Sequence, residues 1–336
     1  MTRIERILRL SFCTSFACSY AWTAAAEGPG YKYFVSGEPS AVVQTTTPGF
    51  ALMGGGEDQD AAFQWMCGHA GDGGNFVVLR ASGTDAYNPY VRKLCPALGS
   101  VQTLIVTSRE GAVQAFVAET IRKASAVFIA GGSQDNYINF WQDTPVEDAI
   151  NAAIQKGVPV GGTSAGLAVL GEYSFAALKD TVKSSEALGN PFHERVTITR
   201  DFLHVPFLTG KITDSHFVAR DRMGRLIAFL ARIATNGWTR TPYGIGIDEK
   251  TAVLMDADGS ARVTGAGAAY FLQTPGLPEK CAPNVALTYK KIAVYRLTAG
   301  SGRFDVKAWR GSGGVEYQLS AEDGVVKSTL AGNKIY

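Results

Sequence analysis

Short apolar runs alternate along the chain with stretches of helical periodicity, and several of the runs stop at glycine. Residues 50–53 are apolar and end at Gly54-Gly55-Gly56; residues 76–79 and 104–106 are similar runs; residues 126–130 end at Gly131-Gly132. These predict short buried strands. Between the last two, Val113, Phe116, Val117 and Ile121 stand at helical spacing and predict one helix over 111–123. The following helix carries its own start and stop signals. Thr144 suits the N-cap, Pro145 the first helical position, Glu147 the acidic position of a capping box, and Gly157 the end. Ile150 and Ile154 form its apolar stripe, and residues 158–160 predict a strand that runs into Gly161-Gly162. A further helix is predicted over 222–234 on the stripe Met223, Leu226, Ile227, Leu230 and Ile233. Strands alternating with helices imply crossover units, hence a doubly wound, mostly parallel α/β sheet. Function in such sheets gathers at the carboxyl ends of strands, where all three glycine runs fall. Beyond about residue 265 the character changes: runs at 292–297 and 306–309, separated by glycine turns, predict antiparallel strands.

This organisation divides the 336 residues into a leader (1–26), an α/β domain (27–264) and a β-rich extension packed on it (265–336). The leader reading rests on three arginines before residue 10, an apolar stretch to about Ala21, and Ala24-Ala25-Ala26 before Glu27. Its apolar run is short for a bilayer span, so the mature chain is expected outside the cytoplasm, secreted or periplasmic, with no membrane attachment. Three of the 32 basic and one of the 30 acidic residues lie in the leader, so the remainder carries no net charge, and nucleic acid is not an expected partner. Of five cysteines, Cys67, Cys95 and Cys281 remain after the leader; Cys67 and Cys95 either pair or stay as buried thiols. Four histidines and no clustered ligand spacing call for no metal or organic cofactor.

The chemistry concentrates on Gly162-Thr163-Ser164-Ala165-Gly166, placed between a predicted strand and an apolar helix start. Small residues on both sides permit a tight strand-to-helix turn that lifts the serine hydroxyl into a cleft. The N–H of Ala165 then faces a developing oxyanion, and Gly132, at another strand end, is a candidate second donor. A glycine-rich structural or phosphate-binding turn gives the same five-residue pattern, so the serine needs a base. Among His69, His193, His204 and His216, the last stands out in Asp214-Ser215-His216-Phe217, followed by Arg220, Arg222 and Arg225. Guanidinium groups in that number either form a solvated face or hold a carboxylate-bearing ligand. The orienting carboxylate is Glu249, Asp248 or Asp214, with Glu249 ranked slightly first.

Taken together, Gly161 to Gly166, the Asp214-x-His216-Phe217 segment with its arginines, Gly246-Ile247-Asp248-Glu249, and the loops Gly54-Gly55-Gly56-Glu57-Asp58 and Gly131-Gly132-Ser133-Gln134 resemble the cyanophycinases, in order from about residue 50 to 255. These belong to the serine peptidase family that also contains aspartyl dipeptidase. The resemblance implies a class I glutamine amidotransferase-like (flavodoxin-like) fold, Ser164 as nucleophile, His216 as base and Glu249 as its orienting acid. It implies cleavage of cyanophycin, a polyaspartate bearing arginine on each side-chain carboxyl, to β-aspartyl-arginine dipeptides. Gln134, Asp214, Arg220, Arg222 and Arg225 are then substrate contacts. Ser215 stands where cyanophycin-cutting members usually carry glutamine, which leaves the choice of dipeptide unit open. Members of the family are often dimers, so a homodimer is an expectation taken from the resemblance, and the leader and extension resemble its extracellular members. Two other activities share these residues: an aspartyl or isoaspartyl dipeptidase, and a non-catalytic protein binding acidic or arginine-rich peptides.

Overall fold

The computed structural model describes residues 26–41 and 44–336. The leader expected over 1–26 lies, except for Ala26, outside the described residues. An eleven-stranded sheet runs in the order β1 (Ala26–Gly28), β2 (Tyr31–Gly37), β5 (Ser100–Val106), β4 (Asn75–Arg80), β6 (Ala126–Ile129), β7 (Val160–Thr163), β3 (Gly49–Met53), β12 (Thr251–Asp256), β13 (Ser260–Gly265), β16 (Arg303–Asp305) and β17 (Arg310–Ser312). Its centre, β5-β4-β6-β7-β3, is parallel throughout. These are the apolar runs of the sequence, and the burial explains them. Phe76 and Val78 of β4 pack with Phe63 and Met66 of the helix Asp60–Ala70, while Val77 and Leu79 pack with Ile121 and Ile150 on the other face. Strand side chains alternate between faces, so a strand covered by helices on both sides is apolar at every position.

The second sheet has eight strands, ordered β19 (Val325–Ser328), β18 (Val315–Glu322), β15 (Tyr289–Thr298), β14 (Ala268–Gln273), β11 (Tyr243–Ile247), β10 (Lys211–Asp214), β8 (Tyr173–Phe175) and β9 (Ile198–Arg200). The helix Met223–Thr235 buries its predicted stripe on this sheet. The division expected at 264/265 falls before the last residue of β13. The β-rich extension beyond it adds to both sheets: β15, β18 and β19 lengthen the second, and β16 and β17 lengthen the first. Phe271 of β14 stacks on Phe304 of β16 with ring centroids 3.8 Å apart.

Three local expectations change. The helix expected over 111–123 is two, Arg109–Ala112 and Ala115–Arg122, broken at Gln114, whose backbone is extended. Ser108 caps the first helix, and Gly111 sits so close to Gly30 that a Cβ would come within 2.0 Å of its carbonyl oxygen. That contact pins the first turn, so Val113 and Phe116 face solvent while Val117 and Ile121 stay buried. Residues 306–309 form the reversal between β16 and β17 rather than a strand, because the Asp305 carboxylate accepts the Ala308 N–H and Trp309 adopts a positive φ of 52°. At the helix Pro145–Gln155, Thr144 caps the Val146 N–H as expected, but Glu147 accepts from Asp143, one residue before the capping-box position.

Cys67 and Cys95 form a disulfide across 28 positions, joining the helix Asp60–Ala70 to the end of the helix Tyr87–Leu94; Cys281 is a half-buried free thiol. Closing a loop of that length removes unfolded-state entropy worth about 3–4 kcal/mol in the chain-entropy model. Reduction, or the Cys67→Ala/Cys95→Ala variant, is therefore expected to lower the guanidinium midpoint by that equivalent; coincident curves with and without reductant would contradict it.

Candidate functional site

Five strand ends meet at one place. β7 delivers Ser164, β3 delivers Gly54 to Gly56, β6 delivers Gly131 and Gly132, β10 delivers Ser215 and His216, and β11 delivers Asp248 and Glu249. Ser164 sits at φ 55°, ψ −113°, directly before the short helix Ala165–Ala168. Its N–H donates to the Met53 carbonyl at 3.1 Å, and its carbonyl accepts the Ala168 N–H at 3.0 Å. Gly166 allows this turn: a Cβ there would lie 2.0 Å from the Ile129 carbonyl oxygen, so the helix start rests directly on the end of β6. The Ser164 Oγ lies 2.6 Å from His216 Nε2, and His216 Nδ1 lies 2.6 Å from Glu249 Oε1. An ionised Glu249 only accepts, which assigns the ring proton to Nδ1 and leaves Nε2 to accept from the serine hydroxyl.

The glycine run after β3 is the frame of this array. The Gly54 carbonyl accepts the His216 N–H at 2.7 Å, and the Gly55 carbonyl accepts the Lys250 N–H at 2.9 Å. Gly55 has φ +91°, and a Cβ there would meet His216 Nε2 at 2.6 Å and the Ser164 Cβ at 3.1 Å. The two other carboxylates weighed from sequence are engaged elsewhere. Asp248 accepts the backbone N–H groups of Val218 at 2.9 Å and Ala268 at 3.1 Å. Asp214 is buried and holds Arg225 by both oxygens: Oδ2 accepts Arg225 Nε at 2.8 Å, and Oδ1 accepts Nη2. Burial alone would raise the Asp214 carboxyl pKa, but Arg225 and Arg222 beside it hold it below the usual carboxylate range.

Beyond the Gly131-Gly132 turn that faces Ser164 opens a cavity of about 570 Å³ walled by the segments 132–135 and 175–183 and by arginines 220, 222 and 225. Gln134 lines it and donates to the Phe175 carbonyl at 2.9 Å. Arg225 is held from behind, with Nη1 donating to Thr181 Oγ1 at 3.1 Å and its guanidinium 5.0 Å from the Phe175 ring centroid. Arg222 Nη1 donates to the Ser215 carbonyl at 2.8 Å and to Ser215 Oγ at 3.3 Å. Asp214 and Ser215 thus lie behind Arg225 and Arg222 rather than on the cavity wall, and their side chains set those arginines in place. Gly132 lines the cavity, and Gly131 next to it faces Ser164, with a built Cβ 3.5 Å from the serine Cβ. Tyr137 Oη fixes this loop by donating to the Ala130 carbonyl at 2.8 Å. The Ala165 N–H belongs to a first helical turn, whose donors have no partner within the helix. Sequence reasoning did not single out Asp135, Asp180 and Lys183, which also line the cavity; they follow no motif, and only the chain path of 175–183 brings two of them there.

Residues 51–263 match the family model described as peptidase family S51. The chain belongs to peptidase family S51. It is similar to the cyanophycinase of Trichormus variabilis, 28% identical over 271 residues that cover 76% of this chain and 85% of that protein. It is also similar to the cyanophycinase of Geminocystis herdmanii, 32% identical over 150 residues, 44% of this chain and 49% of that one. The crystal structure of a peptidase from an acI-B1 Actinobacterium shares the fold, with a TM-score of 0.51 and 19% identity over 78% of this chain and 98% of that one. The chain is accordingly a serine-type peptidase.

In this S51 peptidase the imidazole of His216 is held below its ordinary pKa. Burial disfavours the charged ring, Arg220 and Arg222 repel it, and the bond to Glu249 opposes both. The Glu249 carboxyl is also low, chiefly through the hydrogen bond from His216. A depressed imidazole pKa keeps the ring neutral, and so able to accept a proton, to lower pH. The acid limb of kcat/KM is therefore expected below the unperturbed histidine value of about 6.5. Arg220→Ala removes a repelling charge, raises the imidazole pKa and moves that limb to higher pH. An acid limb that stays put, or moves lower, in the variant would contradict this electrostatic reading.

Proposed function

We propose that the chain is a secreted peptidase that cuts cyanophycin to β-aspartyl-arginine dipeptides through Ser164, His216 and Glu249. The observation that carries the reading is the unbroken hydrogen-bond chain through these residues, with the arginines that follow His216 lining a cavity. In the first half-reaction Ser164 Oγ attacks the peptide carbonyl while His216 Nε2 takes the hydroxyl proton. The negative charge that forms on the carbonyl oxygen is held by the N–H groups of Ala165 and Gly132. Collapse breaks the C–N bond, and the imidazolium returns its proton to the leaving amine. Water, deprotonated by the same imidazole, then releases the acyl group and regenerates Ser164. Glu249 keeps the ring in the tautomer that accepts at Nε2 and stabilises the imidazolium. The base contributes about 10²–10⁴-fold, and each oxyanion donor about 10²–10³-fold.

Cyanophycin presents an α-carboxylate and a guanidinium on each repeat. Arg220 and Arg222 suit the carboxylate, and the cavity has room for one repeat, since small-ligand sites begin near 300 Å³. A Cys67–Cys95 disulfide supports maturation in an oxidising compartment, in keeping with a cleaved leader.

Incubation of the mature chain with insoluble cyanophycin, followed by mass analysis, is expected to yield β-aspartyl-arginine dipeptides. Intact granules alongside hydrolysis of short aspartyl peptides would replace this reading with that of a dipeptidase.

A further inference from the structure

We infer that Asp135 and Asp180 form the guanidinium clamp of the cavity and so select arginine-bearing substrates. The inference rests on the proposed substrate class and assigns to this cavity two residues that no motif marks. The positive half of a zwitterionic repeat needs a carboxylate, and Asp214 is closed to it. Asp214 is 2% exposed, bound at both oxygens by Arg225 and approached by Arg222 at 3.4 Å. Asp214 is therefore already engaged by two guanidinium groups of the protein itself, Arg225 at both oxygens and Arg222 at Oδ1, and does not line the cavity.

Two carboxylates do line the cavity, one from each of its facing segments. Asp135 lies in the first turn of the helix Gln134–Trp141, two positions from Ser133, whose hydroxyl donates to Asp135 Oδ1. Asp180 is on the loop between β8 and the helix Ser184–Gly189, where its own Oδ1 accepts the Thr181 N–H at 2.7 Å. That loop is unusual in its backbone. Ala177 and Asp180 both adopt positive φ, 52° and 79°, within four residues, and neither is glycine. The bend is held by the Asp180 N–H donating to the Ala177 carbonyl at 3.1 Å and the Leu178 N–H donating to Thr197 Oγ1 at 3.0 Å. Backbone strain of this kind persists only where surrounding contacts fix it, and it gathers at ligand sites. Both carboxylates are thus fixed by local bonds, and each retains lone pairs for an incoming donor. The cavity lining thus carries both signs: Arg220, Arg222 and Lys183 for carboxylates, and Asp135 with Asp180 for the guanidinium.

The test compares short β-aspartyl oligomers that carry arginine with matched oligomers that carry citrulline, which keeps the shape and removes the charge. Wild-type enzyme is expected to favour the arginine oligomer in kcat/KM. Asp135→Asn and Asp180→Asn should each erode that ratio by roughly 10-fold, mainly through KM. The double variant should be nearly indifferent to the charge, with an unchanged melting temperature. A double variant that keeps the wild-type ratio would overturn the clamp while leaving the arginine substrate class standing. A wild-type enzyme indifferent to citrulline would overturn the substrate class and the clamp with it.

Discussion

Ser164 reaches His216 because the backbone at both residues is forced into positive φ, 55° at the serine and 48° at the histidine. Each such conformation costs on the order of 1–3 kcal/mol for a non-glycine residue. The cost is offset by packing that leaves no alternative. The Ser164 N–H is tied to β3, the His216 N–H is tied to Gly54, and the Phe217 N–H is tied to the Ile247 carbonyl at the end of β11 at 3.2 Å. The five converging strand ends, the glycine run that admits the imidazole and the close seat of the helix start on β6 all serve to place one hydroxyl 2.6 Å from one ring nitrogen.

The second organising constraint is charge. Three arginines follow the histidine within nine positions, and the fold uses them differently. Arg225 is a structural cation, fully buried and neutralised by Asp214, and its pairing anchors the helix Met223–Thr235 to the end of β10. Arg222 is half-buried and aimed by Ser215, while Arg220 stays exposed at the cavity mouth. One segment therefore supplies the imidazole, the Asp214–Arg225 anchor beside it and the cations that face the cavity. The same cations lower the imidazole pKa, so the charge facing the cavity and the protonation of the ring are coupled through Arg220 and Arg222.

The elements legible in the sequence are those whose pattern has a single cause. Strands β3, β4 and β6 are apolar because both of their faces are covered, and the helix Pro145–Gln155 is bounded by cap chemistry local to a few residues. Gly162 to Gly166 was legible for the same reason, since few backbones permit a strand to enter a helix through one half-buried serine. What escaped depends on distant contacts. Nothing near Val113 records that Gly111 packs against Gly30, and nothing near residue 306 records that Trp309 caps a reversal against the second sheet. The role of Asp214 was misleading in the same way. An aspartate beside a histidine and three arginines has the composition of a binding residue, and only its 2% exposure and its bond to Arg225, eleven positions on, reveal an internal pair.

The most direct test of the central geometry is stoichiometric labelling with a serine-reactive fluorophosphonate. Peptide mapping should place one adduct per chain on Ser164, and His216→Ala should slow its formation by at least about 10²-fold, because the hydroxyl then has no base to take its proton. Labelling at another serine, or labelling of Ser164 at an undiminished rate in the histidine variant, would contradict the account.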